Sequence, residues 1–304
     1  MGGAVTLSGI ALIGFGEVGQ ILAEDLATVN NAAISAYDIK FEEAVSGPAQ
    51  AIKKSKAKKA QTSTDCVSNA DIVICAVTAA STVEAAHAAR GALRKSAWYL
   101  DLNSSSPAAK KEAAAIINSG GGRYVEAAVM APIEPLRLGA PILLGGAHAQ
   151  DFEPLAASLG FVGAKFYSAT PGKTAAAKLC RSVVVKGLEA LISESMLAAQ
   201  HYGVEEDVLA SLNNLFPHPD WRSHARYMIS RTLKHGRRRA EEMQEAARTV
   251  SDAGIEPWMA NATVMRQANA GNLSVDESIS ELDGLLRAMR DSDSADHKPL
   301  ETAL

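Results

Sequence analysis

Gly14, Gly16 and Gly19 have the spacing G-x-G-x-x-G, directly after an apolar run that begins at Leu7. Residues 20–29 then continue with apolar positions at helical spacing. This predicts a strand, a tight turn and a helix N-terminus. Gly14 permits the turn, Gly16 lets a pyrophosphate approach the backbone, and Gly19 lets the helix pack close to the strand. The first amides of that helix and the positive end of its dipole would face the phosphates. Residues 34–37 read as a second strand, and Asp38 follows its end. A carboxylate there can accept hydrogen bonds from the adenosine ribose hydroxyls. The expected cofactor is therefore NAD, held by Gly14, Phe15, Gly16, Glu17, Val18 and Asp38. The Asp38 charge would repel a 2′-phosphate, but Lys40, two residues on, could meet one, which leaves NADP open.

The elements that must position these residues alternate through the first half. Helices are expected at 41–60, 82–93 and 107–118, and strands at 71–77, 97–102, 123–129, 142–144 and 164–167. The strand at 71–77 is almost wholly apolar, as when both faces are covered. The pattern predicts an α/β fold, a doubly wound parallel sheet of Rossmann type with one or two irregular edge strands. It changes at Pro171-Gly172. Residues 174–202 contain no proline and only Gly187, which predicts a helix of roughly 40 Å. Helical spacing recurs at 205–215, 221–233, 237–253, 257–270 and 275–290, and a polar, patternless tail at 291–304 is expected to be mobile. Three regions follow: a nucleotide-binding domain at 1–170, a helical substrate and dimerisation domain at 171–290, and the tail. The join is a helix rather than a tether, so the active site is expected in the cleft between the domains.

Composition excludes several classes. The 304-residue chain carries a formal net charge of −4, with no basic bias toward nucleic acid. Lys53, Lys54, Lys56, Lys58 and Lys59 read as a solvated face. Cys66, Cys75 and Cys180 form no C-x-x-C pair, a pattern of reducing compartments. No apolar stretch reaches transmembrane length and the opening residues lack the basic region of a signal peptide, so a cytoplasmic location is expected. His218, His224 and His235 show no metal-ligand spacing, and no metal is expected.

The glycine-rich nucleotide domain, the long helix opening with Gly172 and Lys178, and the all-helical remainder resemble the β-hydroxyacid dehydrogenases. That family includes 3-hydroxyisobutyrate and 6-phosphogluconate dehydrogenases. Residues 235–243, His-Gly-Arg-Arg-Arg-Ala-Glu-Glu-Met, resemble a bacterial phosphogluconate-dehydrogenase-like branch. The resemblance implies hydride transfer between NAD(P) and a small hydroxy acid or related alcohol, in a homodimer formed through the helical domain. The family helix carries G-x-G-x-x-x-K-x-x-N-N. Here Gly172 and Lys178 match, while Thr174, Arg181 and Ser182 replace the second glycine and both asparagines. Lys178 would be the general acid/base: a lysine whose pKa is lowered by partial desolvation can take the hydroxyl proton as hydride leaves. Its neighbours are small or apolar, which suits a helix packed on several sides. Ser182, one turn on, shares its face and can hydrogen-bond the substrate. Lys186 reads as solvated or as a supporting charge.

Residues 101–107, Asp-Leu-Asn-Ser-Ser-Ser-Pro, resemble the family's D-x-S-T-x-x-P. Asn103 and Ser104 could touch the nicotinamide ribose or the substrate, and the serines equally well cap the next helix. Thr78 is expected to offer a backbone contact to the cofactor. The family's substrate loop, D-A-P-V-S-G-G, matches residues 126–132, where Met130 replaces the serine and Pro132 has no amide hydrogen. The usual carboxylate cradle is absent or rebuilt. Met130, Ala131 and Pro132 then face a different substrate, or the anion is held by Arg181 or residues 237–239. His218 is a further pocket candidate. Two alternatives stay open. One is a cofactor-binding sensor without turnover, which the altered loop favours. The other is an imine reductase, against which Lys178 counts.

Overall fold

Apolar strands alternating with helices build one eight-stranded sheet in the computed structural model, which describes residues 7–29, 32–215 and 220–296. The strands are β1 (Gly9–Ile13), β2 (Ala33–Tyr37), β3 (Lys58–Lys59), β4 (Ile72–Cys75), β5 (Trp98–Asp101), β6 (Arg123–Val129), β7 (Ile142–Gly145) and β8 (Ala164–Ser168). Their order is β3-β2-β1-β4-β5-β6-β7-β8. All neighbours are parallel except β6 and β7, which pair antiparallel with Glu126 opposite Gly145. Ile10 and Leu12 lie in one apolar core while Ala11 and Ile13 lie in another. Both faces of β1 are thus buried, which is why it has no polar alternation.

The helices are α1 (Glu17–Val29), α2 (Gly47–Ile52), α3 (Ser63–Val67), α4 (Thr82–Arg90), α5 (Pro107–Ser119), α6 (Ile133–Leu136), α7 (Ala149–Ser158) and α8 (Lys173–Tyr202). There follow α9 (Glu205–Leu215), α10 (Trp221–Asp252), α11 (Trp258–Ala270) and α12 (Leu282–Asp296). The chain divides into two compact units, one ending at Leu179 and the other beginning at Cys180. That division falls inside α8, later than the Pro171-Gly172 change of pattern.

Three of the expected elements take a different form, and α3, α6 and α7 are helices the sequence pattern did not predict. The helix expected at 41–60 is broken: a 3-10 turn at Ile39–Glu42 precedes α2, and β3 then adds an edge strand to β2. Ser46 caps α2 through the Ala49 amide, and Pro48 sits in its first turn, where its missing amide hydrogen costs nothing, so a new helix starts there. The two helices expected at 221–233 and 237–253 are one, α10. Gly236 does not interrupt it, because a Cβ there would sit 2.5 Å from the Gln267 carbonyl oxygen. The glycine marks a close crossing of α10 and α11. Finally, α12 starts at Leu282 rather than residue 275, after Asp276 accepts from the Ser278 amide (2.9 Å) and closes a turn, and it continues to Asp296 beyond the expected end at 290.

Candidate active site

The glycine-rich turn has the expected build. Gly14 has φ +92°, and a Cβ there would lie 2.3 Å from the Ala76 carbonyl oxygen. A Cβ on Gly19 would lie 2.2 Å from the Gly14 carbonyl oxygen. On Gly16 it would meet nothing within 4 Å. Two glycines are therefore required by the protein, and the third leaves space beside the first turn of α1. Phe15 is buried and packs edge-on against Phe41, centroids 5.7 Å apart, so only its backbone can reach a ligand. Its amide donates to Asp38 Oδ2 (2.7 Å), and the Lys40 amide donates to Asp38 Oδ1 (2.8 Å). Asp38 thus ties the end of β2 to the glycine turn. Glu17, Val18 and exposed Thr78 lie at the carboxyl end of β1 and β4, the edge where such sheets bind ligands.

A second group of residues lies at the end of β5. Asp101 is completely buried and ion-paired with Lys110 of α5 (2.8 Å), whose side chain is only 1% exposed. Asp101 also accepts from Tyr124 Oη (2.8 Å) and from the Asn103 amide (2.9 Å). Burial, with Asp101 and Glu126 close by, holds the Tyr124 phenol well above its usual range, so it remains a donor. Asn103 is buried: its Oδ1 accepts from the Val77 amide (2.7 Å) and its Nδ2 donates to Cys75 Sγ (3.4 Å). Burial pushes the Cys75 thiol up to about 11, and it stays an inert core group. Asn103 therefore braces the loops after β4 and β5. Its neighbour Ser104 meets the lysine: Lys178 Nζ donates to Ser104 Oγ at 2.8 Å in a half-buried setting.

Glu126 is the residue the sequence pattern did not single out. It lies on β6, wholly buried, at the register position beside Asp101 of β5. Its Oε2 accepts from the Gly172 amide and its Oε1 from the Ala175 amide, both at 2.6 Å. These are amides at the start of α8, one turn before Lys178. The signal was a lone carboxylate in the apolar strand Arg-Tyr-Val-Glu-Ala-Ala-Val, since a buried charge requires partners.

The other candidates are placed as follows. The Met130 amide donates to the Pro141 carbonyl (2.8 Å), and Pro132 opens the turn at Ile133–Leu136. With no amide on Pro132 and the Met130 amide engaged, of this loop's three candidate positions only Ala131 keeps a backbone donor for an anion. The loop is anchored on α1, where Arg137 Nε binds Asp25 (2.9 Å) and Ile133 packs with Ile21. Ser182 is buried and Arg181 exposed, both in the helical unit. Lys186 is not solvated: it is buried and paired with Glu242, and burial lowers its pKa while Glu242 opposes that shift. Arg239 is buried against Glu189, and Arg237 bonds the Gly271 carbonyl (3.2 Å), so these members of the arginine run are engaged within the unit. His218 lies outside the described residues. Among the described residues no group of His, Cys, Asp or Glu could hold a metal, and no helix is long and apolar enough to cross a membrane.

Comparison with known proteins agrees with this layout. Residues 9–171 match the NAD binding domain of 6-phosphogluconate dehydrogenase, and residues 199–269 match a domain of unknown function, DUF1932. A conserved hypothetical protein from Sinorhizobium meliloti 1021 is 34% identical over 95% of this chain and 97% of its own, with a TM-score of 0.74. Mycobacterium tuberculosis 3-hydroxyisobutyrate dehydrogenase, solved with L-serine, shares the fold at 16% identity over 93% and 99%, TM-score 0.70. An imine reductase from Streptomyces aurantiacus shares it at 18% identity over 93% and 99%, TM-score 0.56. No curated protein matches the chain.

Proposed function

The chain belongs to the β-hydroxyacid dehydrogenase family, through the NAD-binding domain of 6-phosphogluconate dehydrogenase, and from that membership we propose that this NAD(P)-dependent oxidoreductase moves a hydride to or from the hydroxyl-bearing carbon of a small hydroxy compound, with Lys178 as general acid/base. The observation that carries the reading is the Lys178 Nζ to Ser104 Oγ contact of 2.8 Å at the carboxyl end of the sheet.

The space over Gly16 fits a dinucleotide pyrophosphate, with the amides of Gly16, Glu17 and Val18 as donors and Asp38 toward the ribose. When bound, the nicotinamide supplies the hydride acceptor or donor. Lys178 Nζ accepts the substrate hydroxyl proton in oxidation and returns it to the carbonyl oxygen in reduction. Ser104 Oγ accepts from Nζ and fixes the direction of the amine, and Ser182, one turn along α8, orients the substrate. Asn103 acts by holding the Ser104 loop. The Asp38 charge supports NAD over NADP.

Gly16→Ala is expected to fold like wild type and to bind NADH about tenfold or more weakly. Gly19→Ala, whose new Cβ meets backbone, is expected to lose about 1–3 kcal/mol of stability. Thermal melts and NADH fluorescence titrations separate the two. If Gly16→Ala binds NADH like wild type, the pyrophosphate is not where we place it. The same titration with NADPH tests the NAD preference, and tighter NADPH binding contradicts it.

A homodimer through the helical unit is supported by its uncovered apolar faces. Trp258 is 76% and Met265 75% exposed on α11, and Val184, Leu188 and Leu191 are exposed on α8. Large apolar side chains exposed along a helix face suit an interface. Sedimentation of Trp258→Asp/Met265→Asp is expected to show a monomer where wild type is a dimer. A variant that remains dimeric removes α11 from the interface.

Imine reduction is the second reading. It is favoured by the loop at Met130–Pro132, which offers little for a substrate carboxylate, and opposed by Lys178. Oxidation of 3-hydroxyisobutyrate, L-serine and 6-phosphogluconate, set against reduction of a cyclic imine, decides between them. Turnover of the imine alone would overturn the hydroxyl reading.

A further inference from the structure

We infer that Glu126 is a positioning residue for hydride transfer: its buried carboxylate fixes the first turn of α8 so that Lys178 meets Ser104. The inference rests on the reading of Lys178 as the acid/base.

α8 begins without a cap of its own. The Ala176 amide donates to the Gly172 carbonyl, which makes Gly172 the N-cap position, and glycine has no side-chain oxygen to offer. Gly172 cannot easily be replaced by a capping residue. Its φ is +89°, and a Cβ would lie 2.9 Å from the Pro107 carbonyl oxygen. In an ordinary capping box, the cap residue's side chain holds the amide three residues on, and a glutamate at that position reaches back to the cap amide. Here Glu126 holds both amides, Gly172 and Ala175, from a neighbouring strand. Two charge-assisted bonds at the positive end of the helix set its rotation as well as its position. Gly145, opposite Glu126 on β7, leaves the room: a Cβ there would lie 2.8 Å from Thr174 Cγ2 and 3.0 Å from Glu126 Oε2.

Asp101 and Glu126 are partners on β5 and β6. Asp101 holds the loop that carries Ser104, and Glu126 holds the helix that carries Lys178. The sheet edge thereby sets both halves of the couple from two adjacent positions. A misplacement of about 1 Å at a reacting group can cost about 10²-fold in rate.

The test compares Glu126→Gln with wild type. Glutamine keeps the shape but has one acceptor oxygen and turns a donor toward the second amide. Hydrogen exchange should rise in the peptide spanning 172–179 and stay unchanged in the glycine turn at 14–19. NADH affinity, read by fluorescence, should remain within about twofold, because the cofactor site is held by other elements. Turnover of 3-hydroxyisobutyrate, or of the panel compound that wild type oxidises, should fall about 10- to 100-fold in kcat with little change in KM. In the Lys178→Ala background the same change should cost almost nothing more, because Glu126 acts through that lysine. A substitution that only loosened the fold would keep its effect there. If Glu126→Gln does not fold, Glu126→Asp, which can reach one amide, serves with the same readouts. Unchanged exchange at 172–179, or wild-type kcat in Glu126→Gln while Lys178→Ala is impaired, overturns the inference alone. Wild-type kcat in Lys178→Ala overturns the acid/base reading instead.

Discussion

Lys178→Ala is expected to lower kcat by about 10²–10⁴-fold, the usual contribution of a positioned general acid/base. NADH affinity should change by no more than about twofold, since the residues proposed to hold the dinucleotide lie in the turn between β1 and α1, in the first turn of α1 and just after β2. The effect is large because the proton has to leave as the hydride does. Among the described residues, the lysine amine at the Ser104 hydroxyl is Nζ of residue 178, at 2.8 Å. Ser104→Ala should lose less, because Ser104 orients the amine rather than taking the proton. Steady-state kinetics with a fluorescence titration checks both, and a Lys178→Ala enzyme of nearly wild-type kcat would refute the assignment.

Lys110→Met is expected to destabilise the nucleotide-binding unit by about 3–5 kcal/mol, the cost of leaving one member of a buried ion pair unpaired. In a unit of this size that corresponds to a fall in melting temperature of about 10 °C. Lys110 and Asp101 are each 1% exposed, so no water can replace the lost ammonium. Tyr124 Oη and the Asn103 amide would still bond Asp101, yet neither carries a charge. The contrast is Arg94–Asp71 at the surface, where Arg94 is 49% exposed and an exposed pair is worth about 0–1 kcal/mol. Calorimetry of Lys110→Met and Arg94→Met should therefore separate cleanly. A melting point for Lys110→Met within about 2 °C of wild type would mean that Asp101 is held well enough without the pair.

The site was legible in sequence where its parts are local. Gly14, Gly16, Gly19 and Asp38 fall in one stretch of chain, from the end of β1 through the first turn of α1 to the end of β2, although the Ala76 carbonyl that also excludes a Cβ at Gly14 follows β4. Lys178 was picked out as a candidate through the family motif on one helix. Parts that depend on distant partners were not legible. Glu126 reaches amides 46 and 49 residues away, and nothing near it shows that α8 lacks a cap. Lys186 looked solvated because its partner, Glu242, is 56 residues on. Asn103 was read as ligand-facing because its type suits that role, whereas the Val77 amide, from the loop after a different strand, takes its oxygen. The same holds for the fold. The spacing at 221–233 and 237–253 read as two helices because α11, whose close crossing Gly236 admits, comes later in the chain. Pro48 was the local clue that a single helix could not run from 41 to 60.

The most direct test of the account is a crystal structure of the protein with NAD⁺ and the hydroxy compound it oxidises best. The substrate oxygen is expected within about 2.6–3.2 Å of Lys178 Nζ, with Ser104 still bonded to that amine. A substrate oxygen held by another side chain, with Lys178 turned away from it, would contradict the account.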